Sequence, residues 1–195
     1  MDNRETTADV VFEYTGDGCS VPRDITSVRF KEGLQKIGDS AFIDCTSLDS
    51  ITLPSTVTEV GNRAFSGCIN LRDVTFNDGV QKIRFGAFIN CESLESIKLP
   101  PTVTEIGISA FESCHNLREV TFNDGLQKIG DGAFRYCSSL ENIKLPSTVT
   151  EIGSNAFKSC SNLREVIFND GLQKIGKDAF YRCATLESIT LPYSS

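Results

Sequence analysis

The chain contains no tryptophan, one methionine and one histidine in 195 residues. It also lacks any apolar run long enough to span a bilayer. Positive charge is not in excess: 19 Lys and Arg against 26 Asp and Glu give a formal net charge of -7. That balance speaks against general binding to nucleic acid or insertion at an anionic membrane, since both need a positive field to displace counterions. The single imidazole, His115, stands at a repeat position filled elsewhere by Thr46, Ile69, Glu92, Ser138, Ser161 and Ala184, so it reads as a solvated residue rather than a general base. There is no Gly-rich phosphate loop, because the glycines serve turns 23 residues apart. No C-x-x-C pair offers the clustered spacing of a metal site. Acid, base and nucleophile are nowhere grouped as an active site requires. The expectation is therefore no enzyme, no cofactor and no metal. The opening residues, M-D-N-R-E-T-T-A-D, lack the charged-then-apolar pattern of a secretory leader. A complete chain of this kind would be cytoplasmic; with a leader removed it would belong at the cell surface.

What the sequence does contain is one unit, repeated. Phe recurs every 23 residues at Phe42, Phe65, Phe88, Phe111, Phe134, Phe157 and Phe180, each preceded by Ala and followed three residues later by Cys. A fixed period of this length marks a stacked repeat protein. The reading divides the chain into a tail and capping hairpin over 1–24 and a solenoid over 25–195, with seven full units and a partial eighth. Seven of the eight cysteines share one repeat position, and only Cys19 is out of register. Seven equivalent residues cannot pair off evenly, so a ladder of buried free thiols is expected rather than a disulfide framework.

Each unit has three parts. The first, as in L-E-S-I-K-L, alternates Ile97 and Leu99 with Ser96 and Lys98, the period of a half-buried strand. A turn follows, carrying Pro in one unit (Pro54, Pro100, Pro146, Pro192) and Asp-Gly or Glu-Gly in the next. The second part, V-T-E-I-G or L-Q-K-I-G, is short and extended. The third, A-F-x-x-C-x-x-L, puts Ala, Cys and Leu on one helical face and predicts about two turns of α or 3₁₀ helix. Asp39, Asn62, Ser109, Asp131 and Asp178 stand where an N-cap would be useful. Val10 to Pro22 reads as a β-hairpin lid over the first coil, with Phe12, Tyr14 and Val21 covering it.

The alternation of turns makes the true repeat 46 residues, and charge alternates with it. One ladder runs Lys36, Glu59, Lys82, Glu105, Lys128, Glu151, Lys174; a second runs Asp49, Arg72, Glu95, Arg118, Glu141, Arg164, Glu187. Equivalent residues of stacked coils lie about 4.8 Å apart, so alternating sign converts repulsion into attraction and resists slippage by one coil.

The unit L-x-x-I-x-L-P-x-x-V-x-x-I-G-x-x-A-F-x-x-C, well preserved from Leu140 to Cys160, resembles the BspA-like class of leucine-rich repeats. The resemblance implies an α/β solenoid: a curved right-handed stack with a parallel sheet on the concave side and short helices or 3₁₀ turns outside. It also implies protein–protein recognition or adhesion, often at microbial or protist surfaces. One departure stands out: the closing Gly of the third full unit is replaced by Arg84, beside Phe85, so a distorted turn is expected there.

Outward strand positions hold a constant fold and varied side chains, which is where repeat proteins place specificity. The candidate partner-binding residues are Asp73, Lys98, Glu119, Thr121, Lys144, Glu165 and an exposed Ile167. Trp, Tyr and Arg anchors of tight interfaces are absent from that set. A second candidate patch is Phe85, Ile89 and Ile108, apolar residues in slots that other units fill with polar ones. Together these predict a non-catalytic scaffold for a protein or peptide partner, with a microbial adhesin-type module as the alternative. Recurring Thr pairs, as in Thr56-Val57-Thr58, raise an ice-binding solenoid, but they occur only in every second coil. The chain stops at L-P-Y-S-S without a polar lid, so either Tyr193 and the tail fold over, or two copies meet end to end, or the protein continues.

Overall fold

Residues 11–190 are described here by a computed structural model. The start of the expected tail and the placement of Tyr193 lie outside the described residues. Eight longer strands occur once per coil: β2 (Ser27–Phe30), β4 (Ser50–Thr52), β6 (Asp73–Thr75), β8 (Ser96–Lys98), β10 (Glu119–Thr121), β12 (Asn142–Lys144), β14 (Glu165–Ile167) and β16 (Ser188–Thr190). Their middle residues, Ile51, Val74, Ile97, Ile143 and Val166, are buried while most of their neighbours face solvent. Between them lie the two-residue strands β3 (Lys36–Ile37), β5 (Glu59–Val60), β7 (Lys82–Ile83), β9 (Glu105–Ile106), β11 (Lys128–Ile129), β13 (Glu151–Ile152) and β15 (Lys174–Ile175). The short strands form a seven-stranded parallel sheet in chain order. The longer strands do not form one continuous sheet: β4 pairs with β6, β8 with β10, and β12 with β14 and β16. The sheet therefore has seams between β2 and β4, between β6 and β8, and between β10 and β12.

The core is a set of columns. The seven repeat phenylalanines stack with ring centroids 5.0 to 5.4 Å apart and planes within 6° of parallel. In every second coil a further ring, Phe76, Phe122 or Phe168, meets the column edge-on at 5.7 to 6.0 Å. All eight cysteines are free. From Cys68 onward each repeat thiol donates to the carbonyl of the Phe 26 residues earlier, at 3.0 to 3.3 Å. Burial pushes Cys45 and Cys183, near the two ends of the column, up to about 11, and those between them higher still. Such thiols are inert at neutral pH.

Two sequence expectations are corrected. The A-F-x-x-C segment is not helical, and no helix occurs among the described residues. It is a chain of tight turns in which i→i+3 bonds (Cys45 N–H to Phe42 O, 3.2 Å) alternate with bonds to the next coil (Phe42 N–H to Ala64 O, 2.7 Å). Two turn residues in each coil, four apart, take left-handed φ, as at Ser40 (55°) and Asp44 (56°). A helix would spend those N–H groups within its own coil, whereas the stack offers them carbonyls next door. Asp39 and Asp131 accordingly cap the following coil: their carboxylates accept from the N–H of Asn62 at 2.9 Å and of Ser154 at 2.7 Å. The lid over Val10 to Pro22 is likewise not a hairpin. A single strand, β1 (Val11–Tyr14), pairs in parallel with β2, so the cap imitates one more coil. Tyr14 lies against Phe42 at 5.0 Å, and its hydroxyl accepts from Gly38 N–H at 2.9 Å.

The 46-residue alternation also has a hydrogen-bond basis. Asn77, Asn123 and Asn169 each donate to two carbonyls of the preceding Pro-type turn, at 2.6 to 3.1 Å, and accept from the N–H of Gly79, Gly125 or Gly171. In return Thr56, Thr102 and Thr148 donate to a carbonyl of the preceding Gly-type turn. Each turn type is clamped by the other.

Candidate interaction surfaces

The longer strands place five of the seven candidate residues around one cleft. Glu119 and Thr121 on β10, Lys144 on β12, and Glu165 and Ile167 on β14 line a depression of about 600 Å³ over the β10–β12 seam, with Phe122 and Ile143 in its floor. The seam is where ladder bonds are missing, so the strands part there. Lys98 is exposed one pair away, opposite Thr121, while Asp73 on β6 is exposed but remote from the cleft. Ile167 is half-buried rather than exposed, because it pairs between Lys144 and Thr190. Among the described residues Lys98, Glu119, Lys144 and Glu165 make no ion pair within 4 Å, which leaves their charges available.

A larger cleft, about 650 Å³, opens at Arg84. The closing glycines let neighbouring coils touch: a Cβ at Gly107 would lie 2.5 Å from the carbonyl oxygen of Ile83. Arg84 keeps its N–H on Val60 O at 3.0 Å, but pairing fails on the side facing β9, where only Ile83 and Ile106 match. Thr58 and Thr150 donate both N–H and hydroxyl to Gln35 and Gln127. Thr104 makes neither bond to Gln81, and both residues line the cleft. Phe85 and Ile108 stand on its rim at 39% and 51% exposure. The guanidinium of Arg63 covers Phe85 at 5.2 Å. Ile89 is half-buried and does not reach the cleft. The expected distortion is thus a local opening of the stack.

Electrostatics follow the first charge ladder. Lys36–Glu59, Lys128–Glu105 and Lys174–Glu151 pair at 3.3, 3.5 and 2.8 Å. Arg84 takes Glu59 at 3.1 Å and leaves Lys82 at 3.9 Å. The hydrogen bond from Arg84, followed by that from Lys36, holds the Glu59 carboxyl below the usual range. Lys174 does the same for Glu151. In the second ladder, Asp49 to Glu187, backbones stack, but among the described residues its side chains form no ion pair within 4 Å. His115 directs Nδ1 at the carbonyl of Tyr136 at 3.0 Å, which orients the ring. Among the described residues no group of His, Cys, Asp and Glu could hold a metal, and no helix is long and apolar enough to cross a membrane. The hydroxyls of Thr56, Thr102 and Thr148 are donated to backbone carbonyls, which removes a regular outward threonine array.

One feature of the turn side escaped the sequence reading. Of the two residues before each repeat Cys most are at least partly exposed, Glu112 being buried, and in the last three coils they include Arg135, Tyr136, Lys158, Tyr181 and Arg182. Comparing those two positions down the repeats would have found them.

Parallel strands once per 23 residues, a thiol and phenyl column, and an asparagine-clamped turn define a leucine-rich-repeat solenoid. This chain belongs to the family described as BspA type leucine rich repeat region, whose model matches residues 18–141 and 81–195. Among solved structures it is similar to the leucine-rich repeat protein of T. pallidum, at 30% identity, with 91% of this chain and 83% of that one covered and a TM-score of 0.77. A leucine-rich repeat protein from Bacteroides ovatus matches at 26% identity, covering 97% of this chain and 59% of that one, with a TM-score of 0.56. The pneumococcal vaccine antigen PcpA shares the fold at 22% identity, covering 91% and 59%, with a TM-score of 0.51. No curated protein matches.

Proposed function

We propose that this repeat protein is a rigid, non-catalytic scaffold that recognises a protein or peptide on the face of its longer strands, centred on the β10–β12 seam. The observation that carries the reading is the convergence of Glu119, Thr121, Lys144, Glu165 and Ile167 on one cleft over an apolar floor. Charges of both signs with no ion pair among the described residues, set on a backbone that cannot easily rearrange, favour a preformed site with low ordering cost. The test is to identify a binder by capture, then measure its affinity for wild type and for a chain carrying Lys98→Glu, Glu119→Lys, Lys144→Glu and Glu165→Lys. Affinity should fall with the melting temperature unchanged. Equal affinity in both would remove the strand face from consideration.

The Arg84 cleft supports a second reading, in which the partner docks on the turn side instead. Unused donors and acceptors at Thr104 and Gln81 beside exposed Phe85 and Ile108 favour it. Phe85→Ser with Ile108→Ser would then abolish capture while the strand-face variant retains it.

A further inference from the structure

On the turn side of the last three coils, five outward positions carry Arg135, Tyr136, Lys158, Tyr181 and Arg182. Backbone bonds from Tyr136 N–H to Lys158 O (2.9 Å) and from Ser159 N–H to Tyr181 O (2.8 Å) make them neighbours on successive coils. Arg135 lies over the Tyr136 ring at 5.0 Å, and Lys158 and Arg182 approach the Tyr181 ring at 5.3 and 5.4 Å. Both tyrosines are exposed, at 39% and 50%. Lys177 is exposed on the last of these coils. Of the cations, Arg135 bonds the buried Glu112, whereas Lys158, Lys177 and Arg182 make no ion pair among the described residues. The acidic groups on the same side of these coils are Glu112, engaged by Arg135, Asp131, which accepts from Ser154 N–H, and Asp178.

The fold does not require these residues. The same two positions hold Ile43 and Asp44, Ser66 and Gly67, and Ile89 and Asn90 in the first three coils. A basic and aromatic cluster is also against the composition of a chain with net charge -7. Arg and Tyr are the side chains that dominate interface energetics, and here the cations and rings pre-order one another. We propose that this face of the last three coils is a docking surface for an extended acidic peptide segment. Its carboxylates would meet Lys158, Lys177 and Arg182, and its backbone and apolar groups would lie on Tyr136 and Tyr181. The site is on a different face from the strand-side cleft and stands or falls separately.

The experiment uses a fluorescein-labelled decapeptide of alternating Glu and Ala, with heparin as a sulfated polyanion for comparison. Anisotropy at low salt should show saturable binding that weakens steeply as salt rises. Lys158→Ser with Arg182→Ser should weaken it by about tenfold or more. Tyr136→Ser with Tyr181→Ser should weaken it at every salt concentration. Arg135 is left in place so that Glu112 keeps its partner, and circular dichroism melts should match wild type. The four-fold strand-face variant should bind like wild type. Unaltered binding in Lys158→Ser with Arg182→Ser, or capture of heparin without the peptide, would overturn the proposal.

Discussion

At the scale of single residues, the stability of this molecule is carried by columns rather than by isolated contacts. Phe111 is fully buried with a ring stacked on each side, 5.3 Å from Phe88 and 5.4 Å from Phe134. Truncation to Ala removes two stacking partners at once and leaves a gap the flanking coils cannot close. A loss of about 3–5 kcal/mol is expected, read by urea denaturation. The thiols give an independent check of the same columns. Cys19 is half-buried outside the column, Cys183 is half-buried at its end, and Cys68 to Cys160 are fully buried and hydrogen-bonded. Iodoacetamide at pH 8 should label Cys19 first and Cys183 next, with the six buried thiols, Cys45 included, modified only in denaturant. Rapid native labelling of Cys114, located by mass spectrometry, would be incompatible with the stacked arrangement.

At the scale of the element, the turn side shows why periodicity was not enough. Ala, Cys and Leu at helical spacing suggested a helix, and that spacing is equally met by successive turns facing one core. What separates the two is the destination of the backbone N–H groups, and here carbonyls of the adjacent coil receive them. The Arg84 opening makes a sharp prediction at this scale. The Thr104 amide should exchange with solvent faster than those of Thr58 and Thr150, whose N–H groups are held by Gln35 and Gln127 at 2.9 Å. Replacing Arg84 with Gly should restore the missing pairing and slow Thr104 to match them. Exchange that is already slow in the parent chain would contradict the open seam. Acid stability belongs here too. The Glu59 and Glu151 carboxyls are held low by Arg84 and Lys174, so their contribution is present above the ordinary carboxylate range and is lost as pH falls through their lowered values. Glu59→Gln should flatten the fall in melting temperature between neutral and acid pH, and an unchanged slope would argue against the pairing.

At the scale of the whole molecule, the unit of assembly is the pair of coils. Asn123 clamps a Pro-type turn, Thr148 clamps a Gly-type turn, and Lys128 faces Glu105 on one side and Glu151 on the other. Deleting residues 94–139 removes a whole pair and leaves every remaining coil beside its complement. Deleting residues 94–116 removes one coil, sets Lys82 against Lys128 and offers Asn123 the wrong turn. The shorter deletion should nevertheless be the less stable protein, its melting temperature lower by about 2–4 °C for each kcal/mol of clamp and charge lost. Calorimetry showing the reverse order would mean that the pairing of coils does not govern stability.

The repeat, its length, the buried Phe and Cys columns, the first charge ladder and the place of the irregular coil were all legible in the linear sequence. They follow from identity at a fixed spacing, and in a stack a fixed spacing in sequence is a fixed neighbour in space. The strand-face candidates were legible as outward positions, but not their grouping. Only the folded arrangement separated Asp73 from the five residues around the β10–β12 seam, because seams depend on hydrogen bonds between coils and not within them. The same reason decides the turns on the outer side, the parallel cap at β1, the clamps of Asn77 and Thr56, and the missing bond from Thr104 to Gln81. Sequence repetition specified which side chains share a column; contact between successive coils decided where each backbone bond goes and where the stack is left open.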